Sequence, residues 1–260
     1  MIRRLLVCLA VLGLLTPGQA AESVQVIHAF VALCDNATQG IVPVPPKIGN
    51  GDDPDQNLYW GCDDGLRSVF RRSKSWRLVH SQKEAPPARV LERLVFKHRQ
   101  KNVWLVAHAY RGAEMRGMME DFLAGVAGTA SPGLVVKDGE AEVPLAGPGQ
   151  AHFLAFIGHN GLMDFTLPFP ASQRRATPVP VTVLCCKSDS YFTQRLRESG
   201  GQPMLMTSQF MYPGSFLLHA LLEGWLAGEK PPALRERAAA AYARNQKISL
   251  KAARGVFVLP

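Results

Sequence analysis

Two apolar segments in the second half of the chain end on residues able to do chemistry. The run FLAFIGHNG closes on Gly158-His159-Asn160-Gly161, and VTVLCCKS closes on Cys185-Cys186-Lys187-Ser188. Glycines on either side of a histidine let the backbone turn sharply and expose the imidazole. A thiol ending the next strand would stand within several ångströms of it if the two strands are neighbours in a parallel sheet, as sequential strands usually are. A thiol is only a few per cent ionised at neutral pH, so a cysteine nucleophile needs a base, a positive charge or a helix N-terminus beside it. Around Cys186 the sequence offers Lys187, a helix starting near Ser190 and His159 as proton donor to a leaving group. Backbone N–H groups near Gly158, Gly161 and the turn after Cys186 are candidates for holding an oxyanion. Strand alternation lets only one of the vicinal cysteines face such a site, and Cys185, the last residue of an apolar run, reads as core. A histidine in a glycine-rich loop also reads as a hydrogen-bonded structural residue, so the pairing of the two motifs carries the argument rather than either alone.

The elements that must hold these residues follow from the apolar pattern. Strand-length apolar runs separated by Gly/Pro loops and helical stretches indicate an α/β fold, a mostly parallel sheet with helices on both faces. Val24 to Leu33 is almost continuously apolar, as a strand buried on both faces should be. Further strands are expected at Trp76 to His80, Val90 to Lys97, Val103 to Tyr110, His152 to Gly158, Val179 to Cys185 and Pro203 to Thr207. Helices are expected at Leu58 to Arg72, Ala113 to Val126, Ser190 to Glu198, Gly214 to Ala227 and Pro232 to Asn245. The long Gly/Pro-rich loop from Asp35 to Asn57 is of a kind that tends to be functional. In such sheets ligands bind beyond the carboxyl ends of the strands, which is where His159 and Cys186 fall.

Composition limits the remaining choices. The 260 residues are 47% hydrophobic and 19% charged, with a mean hydropathy near zero, which excludes wholesale disorder and a multi-span membrane protein. Arg3 and Arg4, the apolar run Leu5 to Leu15, Pro17 and the small residues of Gly18-Gln19-Ala20 read as a secretory signal peptide over residues 1–20, leaving one domain over 21–260. That reading implies a secreted or periplasmic protein with no membrane attachment after cleavage, because the apolar run is well short of the roughly 20 residues of a span. The formal charge of +8 is spread along the chain, with one cluster at Arg71, Arg72, Lys74 and Arg77, and does not suggest a nucleic-acid partner. Four cysteines follow the leader, and Cys34 and Cys62 are the pair best placed to bridge. No CxxC, HExxH, GxSxG, P-loop or GxGxxG pattern occurs.

Secondary candidates lie near the same sheet edge. Asp35 and Asn36 follow the first strand and could shape a substrate pocket or simply a turn; Arg111 and Asp164 are similarly placed, Arg111 able to pair a substrate carboxylate or an internal acid. Asp52, Asp53 and Asp55 crowd a Gly/Pro loop that could hold Ca²⁺, although a solvated loop explains them as well. A metal held by His159, Asp164 and another histidine is a third alternative. No cofactor is expected otherwise.

The order of elements, with G-H-N-G ending one strand and L-C-C-K-S the next, resembles the caspase/hemoglobinase fold of clan CD cysteine peptidases, gingipain-like members in particular. The resemblance covers mainly residues 150 to 228. It implies a caspase-like three-layer sandwich, a Cys186–His159 dyad with Cys185 in the small buried position before the nucleophile, and a peptide or protein substrate cleaved at its peptide bonds. The competing expectation is a secreted or periplasmic binding or scaffold protein that keeps the fold with an inert cysteine and histidine.

Overall fold

The computed structural model describes residues 23–129, 132–168 and 174–260; the leader reading over residues 1–20 lies outside them. An eight-strand mixed sheet organises the chain. Its strands are β1 (Gln25–Ala32), β2 (Trp76–Ala85), β3 (Val90–His98), β4 (Val103–Tyr110), β7 (Phe153–Ile157), β8 (Val179–Leu184), β9 (Gly201–Thr207) and β10 (Phe257–Val258). A separate two-strand ribbon supplies β5 (Leu134–Asp138) and β6 (Ala141–Leu145). The order across the large sheet is β10-β9-β8-β7-β1-β4-β3-β2. From β9 to β4 every neighbour is parallel, and the antiparallel pairs lie at the two ends.

The continuous apolar runs predict this arrangement. All residues of β4, and all of β1 after Gln25, are buried, as strands covered on both faces must be. Alternation sends Ile27, Ala29 and Val31 to one face, where they meet α1 (Leu66–Arg71), α4 (Phe216–Leu226), α5 (Pro231–Gln246) and α6 (Leu250–Arg254). Phe30 and Ala32 face the other way, into a core closed by α2 (Met115–Ala127) and α3 (Ser188–Glu198). Helices therefore cover both faces. Among the described residues none forms a helix long and apolar enough to cross a membrane.

Two expectations need correction, and one element goes beyond them. The helix expected over Leu58 to Arg72 is only Leu66–Arg71, preceded by consecutive turns. A Cβ at Gly61 would collide with the carbonyl oxygen of Asp55, and one at Gly65 with that of Trp60, so the chain here doubles back on itself too tightly for a helix. The strand expected over Trp76 to His80 runs to Ala85 because it pairs along its length with β3. The β5–β6 ribbon was not anticipated: Gly139, at φ +63, turns it tightly. Asp138 at its tip takes Arg77 and Lys97 at 2.6 and 2.9 Å, which docks the ribbon onto the sheet beside Trp104.

Candidate active site

The register Ile157↔Leu184 between β7 and β8 sets His159 and Cys186 two residues beyond the last aligned pair of adjacent parallel strands. Gly158 makes the exit from β7 at φ +146, a conformation open to glycine and strained for other residues. Its N–H donates to the Leu184 carbonyl at 3.3 Å, so this expected oxyanion donor is engaged in the sheet. Gly161 is buried, and a Cβ there would meet the Met115 side chain at 2.6 Å; its absent side chain lets the histidine loop close against α2.

His159 is 7% exposed and its Nε2 lies 2.7 Å from Oδ2 of Asp164. A single 3₁₀ turn, Gly161–Met163, brings Asp164 back under the ring, and the Asp164 N–H closes that turn on the Gly161 carbonyl. The same carboxylate oxygen accepts the Gly40 N–H at 3.0 Å. Between the two sits Asn160, which is fully buried. Its Oδ1 caps the turn by accepting the Leu162 N–H, and its Nδ2 donates to the Cys186 carbonyl at 2.7 Å. Asn160 thus ties the histidine loop to the cysteine loop, a role the sequence signals only as an asparagine before glycine at a turn.

On β8, Cys185 is fully buried, and burial holds its thiol well above the ordinary range. Cys186 is half-buried, with Sγ 3.4 Å from the Met211 nitrogen and 3.5 Å from its carbonyl oxygen. Lys187 then takes a left-handed conformation, φ +50, and α3 begins at Ser188. Its ammonium sits 4.4 Å from the ring centre of the exposed Phe210. Among the described residues no hydrogen bond joins Cys186 to His159: the two sit on facing strand ends, one side chain held by Asp164, the other by Met211.

Behind the loops lies a group that the sequence pattern does not reveal. Tyr59 is buried, and a Cβ at Gly158 would lie 3.5 Å from its ring. Its hydroxyl neighbours the Cys34 thiol, whose pKa burial pushes up to about 11. Burial also raises Tyr59 well above the usual phenol range, with Cys34 and Cys186 adding to the shift. Cys34 and Cys62 are both free thiols. Asn57 fixes the loop around them, accepting the Cys34 N–H at 2.9 Å and donating to the Cys34 carbonyl at 2.8 Å.

The secondary candidates other than Asp164 are engaged elsewhere. Asp35 spends Oδ1 on the Ala37 N–H and Oδ2 on the Thr38 hydroxyl, and Asn36 brackets Val44 through both its amide atoms. These are turn contacts rather than a pocket. Arg111 pairs with Asp52 at 2.8 Å and Glu84 at 3.4 Å, which is the internal ion pair rather than a free carboxylate receptor. Asp55 pairs with Arg67, which holds its carboxyl below the usual range, and Asp53 caps the Asp55 N–H. Among the described residues no three His, Cys, Asp or Glu side chains converge as a metal site would require, around these aspartates or around His159. No family model, curated protein or solved structure matches the chain.

Proposed function

We propose that this chain is a cysteine-dependent hydrolase of peptide bonds, exported to the periplasm or beyond, with Cys186 as nucleophile and His159 as the acid that protonates the leaving amine. The observation that carries the reading is the β7–β8 register, with Asn160 pinned to the Cys186 carbonyl: it brings the two loops bearing a thiol and an imidazole to one sheet edge. The finer reading, a resemblance to clan CD peptidases, rests on the same motifs. In this scheme the Cys186 thiol gives its proton to His159, its sulfur attacks the substrate carbonyl carbon, and His159 passes that proton to the departing nitrogen as the C–N bond breaks. Water then attacks the thioester, its proton returning to the imidazole as the sulfur leaves. Asp164 keeps a proton on Nε2 and leaves Nδ1 as the nitrogen that exchanges it. The nearby start of α3 favours negative charge on sulfur.

Hydrolysis of fluorescein-labelled casein tests the proposal: it should be blocked by iodoacetamide and absent from Cys186→Ala. One observation favours a second reading, a binding or scaffold protein on the same fold. The Cys186 thiol rests on Met211 and the His159 ring is closed over by its own loop. On that reading Cys186→Ala leaves function intact and alkylation has no effect.

A further inference from the structure

A cavity of about 480 Å³ opens on the α2 face of the sheet beside β3 and β4, and it shares no lining residue with the His159 and Cys186 loops. Arg93 on β3 lines it. The Arg93 Nε donates to Nδ1 of His108 at 3.2 Å and its Nη2 to the Pro86 carbonyl. Among the described residues Nη1 has no partner and no carboxylate lies within ion-pair distance of the guanidinium.

The neighbours cannot neutralise it. His28 Nε2 lies 2.8 Å from the Ala146 carbonyl, which only accepts, so that nitrogen carries the proton. His28 Nδ1 is then the acceptor for Nε2–H of His108, 3.0 Å away, and His108 Nδ1 is left to accept from Arg93. The pattern closes with both rings neutral. Burial holds both histidines low, His28 at about 4. The one acid in the lining, Asp121, is taken by Arg89 through both oxygens, at 2.5 and 3.0 Å, and by the Tyr110 hydroxyl at 2.9 Å. Two guanidinium groups against one carboxylate leave a single positive charge, next to a wall of Phe30, Pro86, Pro87 and Pro148. A half-buried cation without a counterion is costly, and partial burial accordingly lowers the Arg93 pKa.

We propose that this cavity binds a monocarboxylate with an apolar body, the carboxylate paired to Arg93 and the body packed on Phe30 and the prolines. The excess of one charge suits a monoanion rather than a phosphate dianion, and the volume lies within the range of small-molecule sites.

Protein-observed NMR titration of the purified chain with 3-phenylpropionate, and separately with 3-phenylpropionamide, tests this without a variant. The acid is expected to bind with shifts centred on Phe30, His108 and Tyr110, and about tenfold or more tighter than the amide. Arg93→Gln should abolish that preference, while Arg93→Lys, which keeps the charge, should retain part of it. Equal binding of acid and amide, shifts centred elsewhere, no binding of the acid, or tighter binding of inorganic phosphate would each overturn the proposal. None of these outcomes depends on whether Cys186 is catalytic.

Discussion

Nε2 of His159 and Oδ2 of Asp164 are 2.7 Å apart, five residues along the chain, in a loop that a single 3₁₀ turn folds back on itself. A carboxylate accepting from one ring nitrogen sets the tautomer and leaves the other as the proton-exchanging atom. Asp164→Asn keeps the shape and removes the charge. It should lower the kcat of thiol-dependent hydrolysis by about 10- to 100-fold with little change in KM. An unchanged kcat, or a rise in KM alone, would mean that Asp164 shapes the loop without orienting the imidazole.

Asn160→Ala removes the amide that bridges the two loops, leaving the Leu162 N–H without a partner and the Cys186 carbonyl with only a long contact from the Cys185 thiol, in a half-buried place. A loss of about 1–3 kcal/mol in urea unfolding is expected. A loss near zero would show that the two loops are not tied together in solution.

Gly158→Ala separates strain from crowding. An added Cβ meets nothing nearer than 3.5 Å, yet the backbone holds φ +146. The expected cost is therefore conformational, about 1–3 kcal/mol, and should appear as a lower melting temperature. An unchanged melting temperature would show that the exit from β7 relaxes at no cost.

Acid should destabilise the fold through the buried histidine pair. The pKa of His28 is lowered from 6.5 to about 4 and that of His108 lies well below the usual value, both through burial. Their neutral forms are favoured in the folded state, so this stability is present above pH 6.5. It is lost as pH falls through that value toward 4, because the unfolded chain takes up protons first. His28 alone accounts for about 3 kcal/mol over that interval. Urea midpoints measured from pH 7 to pH 4 should fall accordingly. His28→Gln, which does not titrate, should start less stable and lose less; an equal slope for both proteins would assign the acid sensitivity elsewhere.

The central strands were legible because burial on both faces leaves an unmistakable apolar run, as in VWLVAHAY of β4 and in β1. The strand ends carrying His159 and Cys186 were legible for the same reason, since the run stops where the chemistry starts. What escaped was set by contacts that the apolar pattern does not encode. The turns of residues 58–65 follow from Gly61 and Gly65 packing on backbone, which helical propensity does not register. Asn160, Tyr59 and Met211 acquire their roles only when β7, β8 and the loop after β9 come together. Arg111 and Asp35 looked available in the sequence because their partners, Glu84 and Asp52 for the one and the 37–38 turn for the other, are visible only in three dimensions.

The most direct test is to incubate the chain lacking its first 20 residues, and separately its Cys186→Ala variant, with a reduced denatured proteome and to map new N-termini by mass spectrometry. The account predicts new termini sharing one residue type before the cut, present for the unmodified chain and missing for the variant. Identical maps for the two proteins, matching buffer alone, would contradict it and leave the binding or scaffold reading in its place.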